Sequence, residues 1–189
     1  DSPYGKLVSL AKENKIKCYS FSSIREIEQE LLKIRPHYLI SCGWHSILPK
    51  AIIEIPLKAS LNCHGSFLPD YKGASPFKHY WSNWEEYGGA SIHLITEKID
   101  EGRVIIKEKF RIKHPTTPNA ILKQTSVLTA RILKLAIIKF EEGFKGEMQS
   151  GGRYFFKIPN HRHLIYWIYN FWAFVFNLKK ISTPYKSVR

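Results

Sequence analysis

Ser60-Leu61-Asn62-Cys63-His64, continuing into Gly65-Ser66-Phe67-Leu68-Pro69, reads as a β-strand that runs straight into a turn. In an extended chain, residues two apart point the same way, so Asn62 and His64 share one face and Cys63 takes the other. A carboxylate follows 38 residues after Asn62, at Asp100 in Lys98-Ile99-Asp100-Glu101-Gly102. An amide can hold a developing oxyanion, an imidazole can move a proton or add positive charge, and a carboxylate can set the imidazole's charge state. Together these groups suit transfer of an acyl group to an amine. Singly each is ordinary: a histidine after a strand is commonly structural, and an aspartate in a turn commonly just turns the chain.

Outward from this strand, helical and extended patterns alternate. Residues 4–14 read as a helix with Leu7, Val8, Leu10 and Ala11 on one side, and residues 17–21 as a short strand. Ser22 or Ser23 caps a helix to about Ile34, with Glu26 and Glu28 in its early turns. Residues 38–41 read as a buried strand, Gly43 lets the chain turn away, and Pro49 begins a short helix through Ile55. Residues 69–76 form a loop and 77–84 a helix. Residues 90–96 and 104–112 are strands joined by the turn that carries Asp100. Their alternation puts His93 on a face with Ser91 and Ile95. Asn119 caps a long amphipathic helix through Phe140, with Gly143 as its stop. This order predicts an α/β fold with a doubly wound, mostly parallel sheet. Ligands of open α/β sheets bind at the carboxyl ends of strands, where Asn62 and His64 sit.

Of 189 residues, 44% are hydrophobic and 14% aromatic, enough for a domain with a real core. The three cysteines, Cys18, Cys42 and Cys63, are odd in number and lack metal-site spacing, which points to reduced thiols in a cytoplasmic protein. No signal peptide opens the chain, and His161-x-His163 is too small a set to hold a metal. The net charge is +13, and residues 151–189 carry seven Lys/Arg and no Asp or Glu, so this tail supplies more than half of the excess. An anionic partner fits: a nucleotide sugar, a tRNA or a membrane surface. The same tail holds 11 of the 26 aromatic residues. Residues 164–178 are nearly all apolar, yet as a helix they would reach only about 22 Å, short of the ~30 Å hydrocarbon core. A packed helix, a dimer contact, or an interfacial membrane helix with basic ends remain open for them.

The motif N-x-H-x-S-x-L-P at 62–69, with Tyr71-Lys72-Gly73, Pro76, Gly89-Ala90-Ser91-Ile92-His93 and Ile99-Asp100-Glu101-Gly102, resembles the folate-dependent formyltransferases. That family includes the methionyl-tRNA, glycinamide ribonucleotide and amino-sugar-nucleotide enzymes. The resemblance runs from about Ser2 to Gly143. It implies a Rossmann-like fold that here lacks its first strands. It also implies 10-formyltetrahydrofolate as co-substrate without a metal, and Asn62, His64 and Asp100 as catalytic residues. Gly43 and Ile47 fall where the family lines its folate pocket, and His93 and Ser66 are candidates for supporting roles. The resemblance implies that a protonated His64, favoured by a nearby carboxylate, stabilises the formyl oxygen. The division expected is a catalytic domain at 1–146 and a basic, aromatic extension at 147–189. An amino-sugar nucleotide is the first acceptor to consider. Methionyl-tRNA and glycinamide ribonucleotide are alternatives, and a non-catalytic binding or membrane-associated module is the reading of another class.

Overall fold

The computed structural model describes residues 3–155 and, beyond them, residues 164, 167–168, 171–172 and 175–176. Its centre is a four-stranded sheet. The strands β1 (Tyr38–Cys42), β2 (Ala59–His64), β4 (Tyr87–Leu94) and β5 (Val104–Arg111) lie in the order β1-β2-β4-β5. A two-residue strand, β3 (Lys72–Gly73), sits outside this sheet and pairs in parallel with β6 (Tyr154–Phe155). The α/β class expected from the alternation of elements, and the Rossmann-like fold that the resemblance implies, are observed. The sheet itself is mixed: β1 and β2 run parallel, whereas β2–β4 and β4–β5 are antiparallel.

One long helix, α5 (Pro118–Glu141), closes one face of the sheet. Thr117 caps it, accepting the Ala120 N–H, with Pro118 at the first helical position where its missing N–H costs nothing. The cap therefore sits two residues before Asn119, because proline's fixed φ belongs inside the first turn rather than before it. Ile121, Leu128, Ile132, Ala136 and Phe140 recur at helical spacing and are buried. Ile132 and Ala136 pack with Leu61, Ala90 and Ile92 in the main core. A second cluster joins Tyr71, Tyr80, Trp81, Ile112, Ile121 and Phe155, with Tyr80 and Trp81 coming from α4 (Pro76–Ser82).

Strand parity then places the polar residues. Leu61 and Ile92 face the α5 core, so Asn62, His64, Ser91 and His93 face away from it, and register pairs Asn62 with His93 and His64 with Ser91.

The outer helices are α1 (Pro3–Glu13) and α2 (Ile24–Ile34), followed by the short α3 (Lys50–Ile53). Ser23 Oγ accepts the Glu26 N–H, and the Glu26 carboxylate reaches back to Ser22 N and Oγ, a capping-box arrangement. Between α1 and α2, residues 17–21 form no strand. They are exposed and pair with no described strand. The β1 strand is only half-buried rather than fully covered.

At the other end, residues 147–155 return to the domain rather than leaving it. Glu147 bridges Val104, and β6 pairs with β3 inside the stretch expected to be loop. Of the apolar stretch 164–178, the described residues include Leu164, Trp167, Ile168, Phe171, Trp172 and Val175. These are helical and about half or more exposed. The rest of that stretch, and the basic residues flanking it, lie outside the described residues. Among the described residues no helix is long and apolar enough to cross a membrane.

Candidate active site

The carboxyl end of β2 delivers Asn62 and His64, β4 delivers His93, and the turn between β4 and β5 delivers Asp100. His64 and Asp100 are 6% and 8% exposed, so their interactions are made largely out of water. Asp100 Oδ1 lies 3.5 Å from His64 Nδ1, 3.3 Å from His93 Nε2 and 3.3 Å from Asn62 Nδ2. Its other oxygen, Oδ2, accepts the Gly73 N–H at 2.8 Å. One carboxylate thus gathers two imidazoles, an amide and a backbone donor from three other segments of chain.

The turn that achieves this depends on two residues with special backbone demands. Asp100 has φ +53°, the left-handed region that aspartate tolerates better than most residues. Gly102 passes so close to β4 that a Cβ there would lie 1.7 Å from the Leu94 carbonyl oxygen. Only glycine permits that approach.

Hydrogen-bond partners set the histidine tautomers. His64 Nε2 lies 2.9 Å from the Tyr71 carbonyl, which can only accept, so Nε2 carries a proton. In neutral His64 the Nδ1 lone pair then faces Asp100. In the same way His93 Nδ1 donates to the Leu94 carbonyl at 2.8 Å, leaving Nε2 toward Asn62 at 3.1 Å and toward Asp100.

Burial pushes the His64 pKa below its ordinary value. The Asp100 charge and the Tyr71 carbonyl raise it, without overcoming burial. The carboxylate acts in the anticipated direction, while burial of the ring opposes it more strongly. For Asp100, burial works to raise the pKa. The contacts with His93, His64 and the Gly73 N–H outweigh it and hold the carboxyl below its usual range. Carboxyl and imidazole are thus both shifted downward, Asp100 by its neighbours and His64 by burial.

Ser66 is fully buried, and its Oγ donates to the Asp70 carbonyl at 2.7 Å, tying the loop after β2. Ser91 Oγ ties the same loop by donating to Ser66 O and accepting the Leu68 N–H. Gly43 and Ile47 are not drawn into the cluster. Gly43 ends β1 with φ +71° and open space around its Cβ position. Ile47 is 59% exposed, and neither makes a hydrogen bond to the His64–Asp100 group.

Several contributors escape sequence reading. Tyr71 and Gly73 act through backbone atoms, which no side-chain pattern announces. Gln149 donates to the Asp100 and Gly102 carbonyls from 47 to 49 residues away. Lys72 is 2% exposed, and its ammonium meets Glu101 at 2.6 Å and the Gly151 carbonyl at 3.0 Å. A lysine in a loop carries no sign that it will be buried. Among the described residues no group of His, Cys, Asp and Glu is arranged to hold a metal ion.

The chain is 33% identical over 117 residues to methionyl-tRNA formyltransferase from Hydrogenobaculum sp. (strain Y04AAS1), covering 62% of this chain and 39% of that protein. It is 30% identical over 145 residues to methionyl-tRNA formyltransferase from Prochlorococcus marinus (strain MIT 9215), covering 75% of this chain and 44% of that protein. The chain thus spans about two fifths of the length of these relatives. Among solved structures, HypX from Aquifex aeolicus in complex with tetrahydrofolic acid superposes with a TM-score of 0.65 at 17% identity, covering 72% of this chain and 24% of that one. Phosphoribosylglycinamide formyltransferase from Bacillus halodurans gives 0.64 at 19% identity, covering 74% and 77%. A sugar N-formyltransferase from a Shewanella species gives 0.62 at 20%, covering 79% and 58%. These likenesses show the fold. The profile described as formyl transferase matches residues 8–137, and the chain belongs to the formyl transferase family.

Proposed function

We propose that this chain carries the site of an N-formyltransferase that moves a formyl group from 10-formyltetrahydrofolate to a primary amine. The observation that carries the reading is the buried convergence of Asn62, His64 and Asp100 at the carboxyl end of β2, in a chain of the formyl transferase family. The folate supplies an activated formyl group; the chain's residues supply proton transfer and charge stabilisation.

His64 is the proton acceptor in this reading. Its Nε2–H is committed to Tyr71 and burial disfavours the imidazolium, so a neutral Nδ1 can take the proton that the amine loses as its nitrogen bonds to the formyl carbon. Asp100 stays ionised and turns the resulting imidazolium into a buried ion pair, which gives the proton to the folate N10 as the bond from N10 to the formyl carbon breaks and tetrahydrofolate leaves. Asn62 is the donor for the formyl oxygen as negative charge develops there. In the resting arrangement its amide nitrogen already faces His93 at 3.1 Å and Asp100 at 3.3 Å. Asn62 therefore reaches a formyl oxygen by exchanging one of these, and the longer bond to Asp100 is the cheaper to give up. His93 steadies both partners, and Ser66 fixes the loop behind them. Gly43 and Ile47 stand as folate contacts at the end of β1, placed there by family resemblance.

For the acceptor, an amino-sugar nucleotide is the first candidate. His93, on the strand leading to Asp100, supports it, as does the likeness to a sugar N-formyltransferase. The relatives named for methionyl-tRNA favour that substrate as the second candidate. A direct test is to incubate the protein with 10-formyltetrahydrofolate and, separately, an amino-sugar nucleotide, glycinamide ribonucleotide and methionyl-tRNA, reading tetrahydrofolate release and formylated product. Turnover with one amine identifies the acceptor. Folate bound without transfer to any of the three favours the binding-module reading, and no folate binding at all sinks the proposal.

A further inference from the structure

Residues 146–155 form a strap across the site turn. Glu147 exchanges both backbone hydrogen bonds with Val104, each 2.9 Å. Gly152 presses against the opposite loop, where a Cβ would meet the Pro69 carbonyl oxygen at 2.1 Å. Tyr154 and Phe155 then pair with Lys72 and Gly73. The strap touches both loops that build the site, the one presenting the Tyr71 carbonyl and Gly73 N–H and the one presenting Asp100.

Gln149 lies at the middle of this strap. Its Nε2 donates to the Asp100 carbonyl at 2.8 Å and to the Gly102 carbonyl at 2.7 Å. Both partners can only accept, so the amide nitrogen must be on this side. Its Oε1 is buried and has no hydrogen-bond partner among the described residues. Burying an unpaired oxygen is unfavourable, so a side chain selected for packing alone would be apolar. The pair of donations is what distinguishes glutamine from such a residue here.

We propose that Gln149 is a positioning residue for the Asp100 carboxylate. By donating to the carbonyls on either side of Glu101, it holds residues 100–102 in the conformation that brings Asp100 to His64 and His93. A non-glycine residue at φ +53° persists where its surroundings over-determine it, and these two bonds are part of that determination. The strap also holds Glu101, the middle residue of the turn. Lys72 and the Tyr154 hydroxyl both bind its Oε1. The titratable groups facing His64 are Asp100 from the turn and His93 from β4. The catalytic meaning of this role rests on the formyl-transfer reading; the geometry does not.

The test is the titration of His64, followed by NMR of the imidazole in the full chain. Asp100 raises the proton affinity of His64, so Gln149→Leu is expected to lower its midpoint by about half a pH unit or more as the carboxylate drifts away. Asp100→Asn should lower it likewise, and the double variant should add little, since both act through one carboxylate. A folded Gln149→Leu protein whose His64 titrates as in the wild type would overturn the proposal. A second measurement needs no variant. The side-chain amide protons of Gln149 should exchange with solvent far more slowly than those of Gln29 and Gln124, which are exposed. Equal exchange rates would also overturn it. Neither measurement involves folate or amine, so failure of the formyl-transfer reading shows separately, as absent turnover. Where turnover is present, Gln149→Leu should lower kcat roughly 10- to 100-fold, with the folate KM nearly unchanged.

Discussion

The helices α2 and α5 differ in what holds them. In α2 the local signals are complete: a serine cap, a glutamate that reaches back, an apolar stripe and a left-handed Arg35 at its end. Yet α2 buries no residue, and Leu32 and Ile34 are at least half exposed. In α5 the apolar stripe is less sharply drawn, but seven of its residues are buried, and Leu128, Ile132, Ala136 and Phe140 pack in one core with Leu61 and Ile92 of the sheet. Capping and periodicity decide whether a segment is helical; only a facing surface decides how much it stabilises. The site sits on the α5 side of this contrast, among buried elements that constrain one another.

The contrast can be broken or sharpened by substitution. The largest effect is expected at Gly102→Ala, whose Cβ would collide with the Leu94 carbonyl. Backbone must move on one side, and a loss on the order of 4 kcal/mol or more in urea unfolding is expected. Ile132→Ala, at the centre of the α5 core, should cost about 2–5 kcal/mol by the same measurement. A cost near zero would mean that α5 does not seal the sheet. Asp100→Asn and His64→Ala should each reduce formyl transfer by ~10²-fold or more while folding is retained. Near-native turnover in His64→Ala would remove the imidazole from the mechanism.

A smaller effect is expected from pH. His64 has a folded-state pKa below its ordinary 6.5 because of burial, so the unfolded chain binds that proton more tightly. Stability is then full above pH 6.5 and falls as pH drops below it, toward the folded-state value. His114, also lowered by burial, contributes in the same window. Asp100 adds stability that is present above its ordinary 3.8 and lost as pH falls below that toward its lower folded-state value. The urea midpoint should rise between pH 5 and pH 7, and His64→Gln should flatten part of that rise. An unchanged slope in His64→Gln would show that the imidazole is not buried neutral. The smallest effect is expected at Leu32→Ala in α2, within about 0.5 kcal/mol of wild type. A cost like that of Ile132→Ala would show that the α2 stripe is covered in solution.

The sequence by itself determined most of the elements, because their signals are local. The cap at Ser23, the strand around Asn62 and the turn containing Gly102 each follow from residues within a few positions. Strand parity placed Asn62 and His64 on one face, and their resemblance to formyltransferases named the chemistry. The tertiary structure alone decided what surrounds them. That Tyr71 fixes the His64 tautomer and Gly73 holds Asp100 depends on backbone atoms, which every residue has and no residue type advertises. That residues 17–21 form no strand depends on which neighbours they meet, since a strand is a pairing and not a propensity. The resting charge of His64 turns on the balance between burial and a carboxylate 3.5 Å away. Gln149 reaches the site only because the chain folds back after α5. Contacts between residues so far apart in sequence are set by the sum of the packing around them, and a local pattern contains no term for that sum.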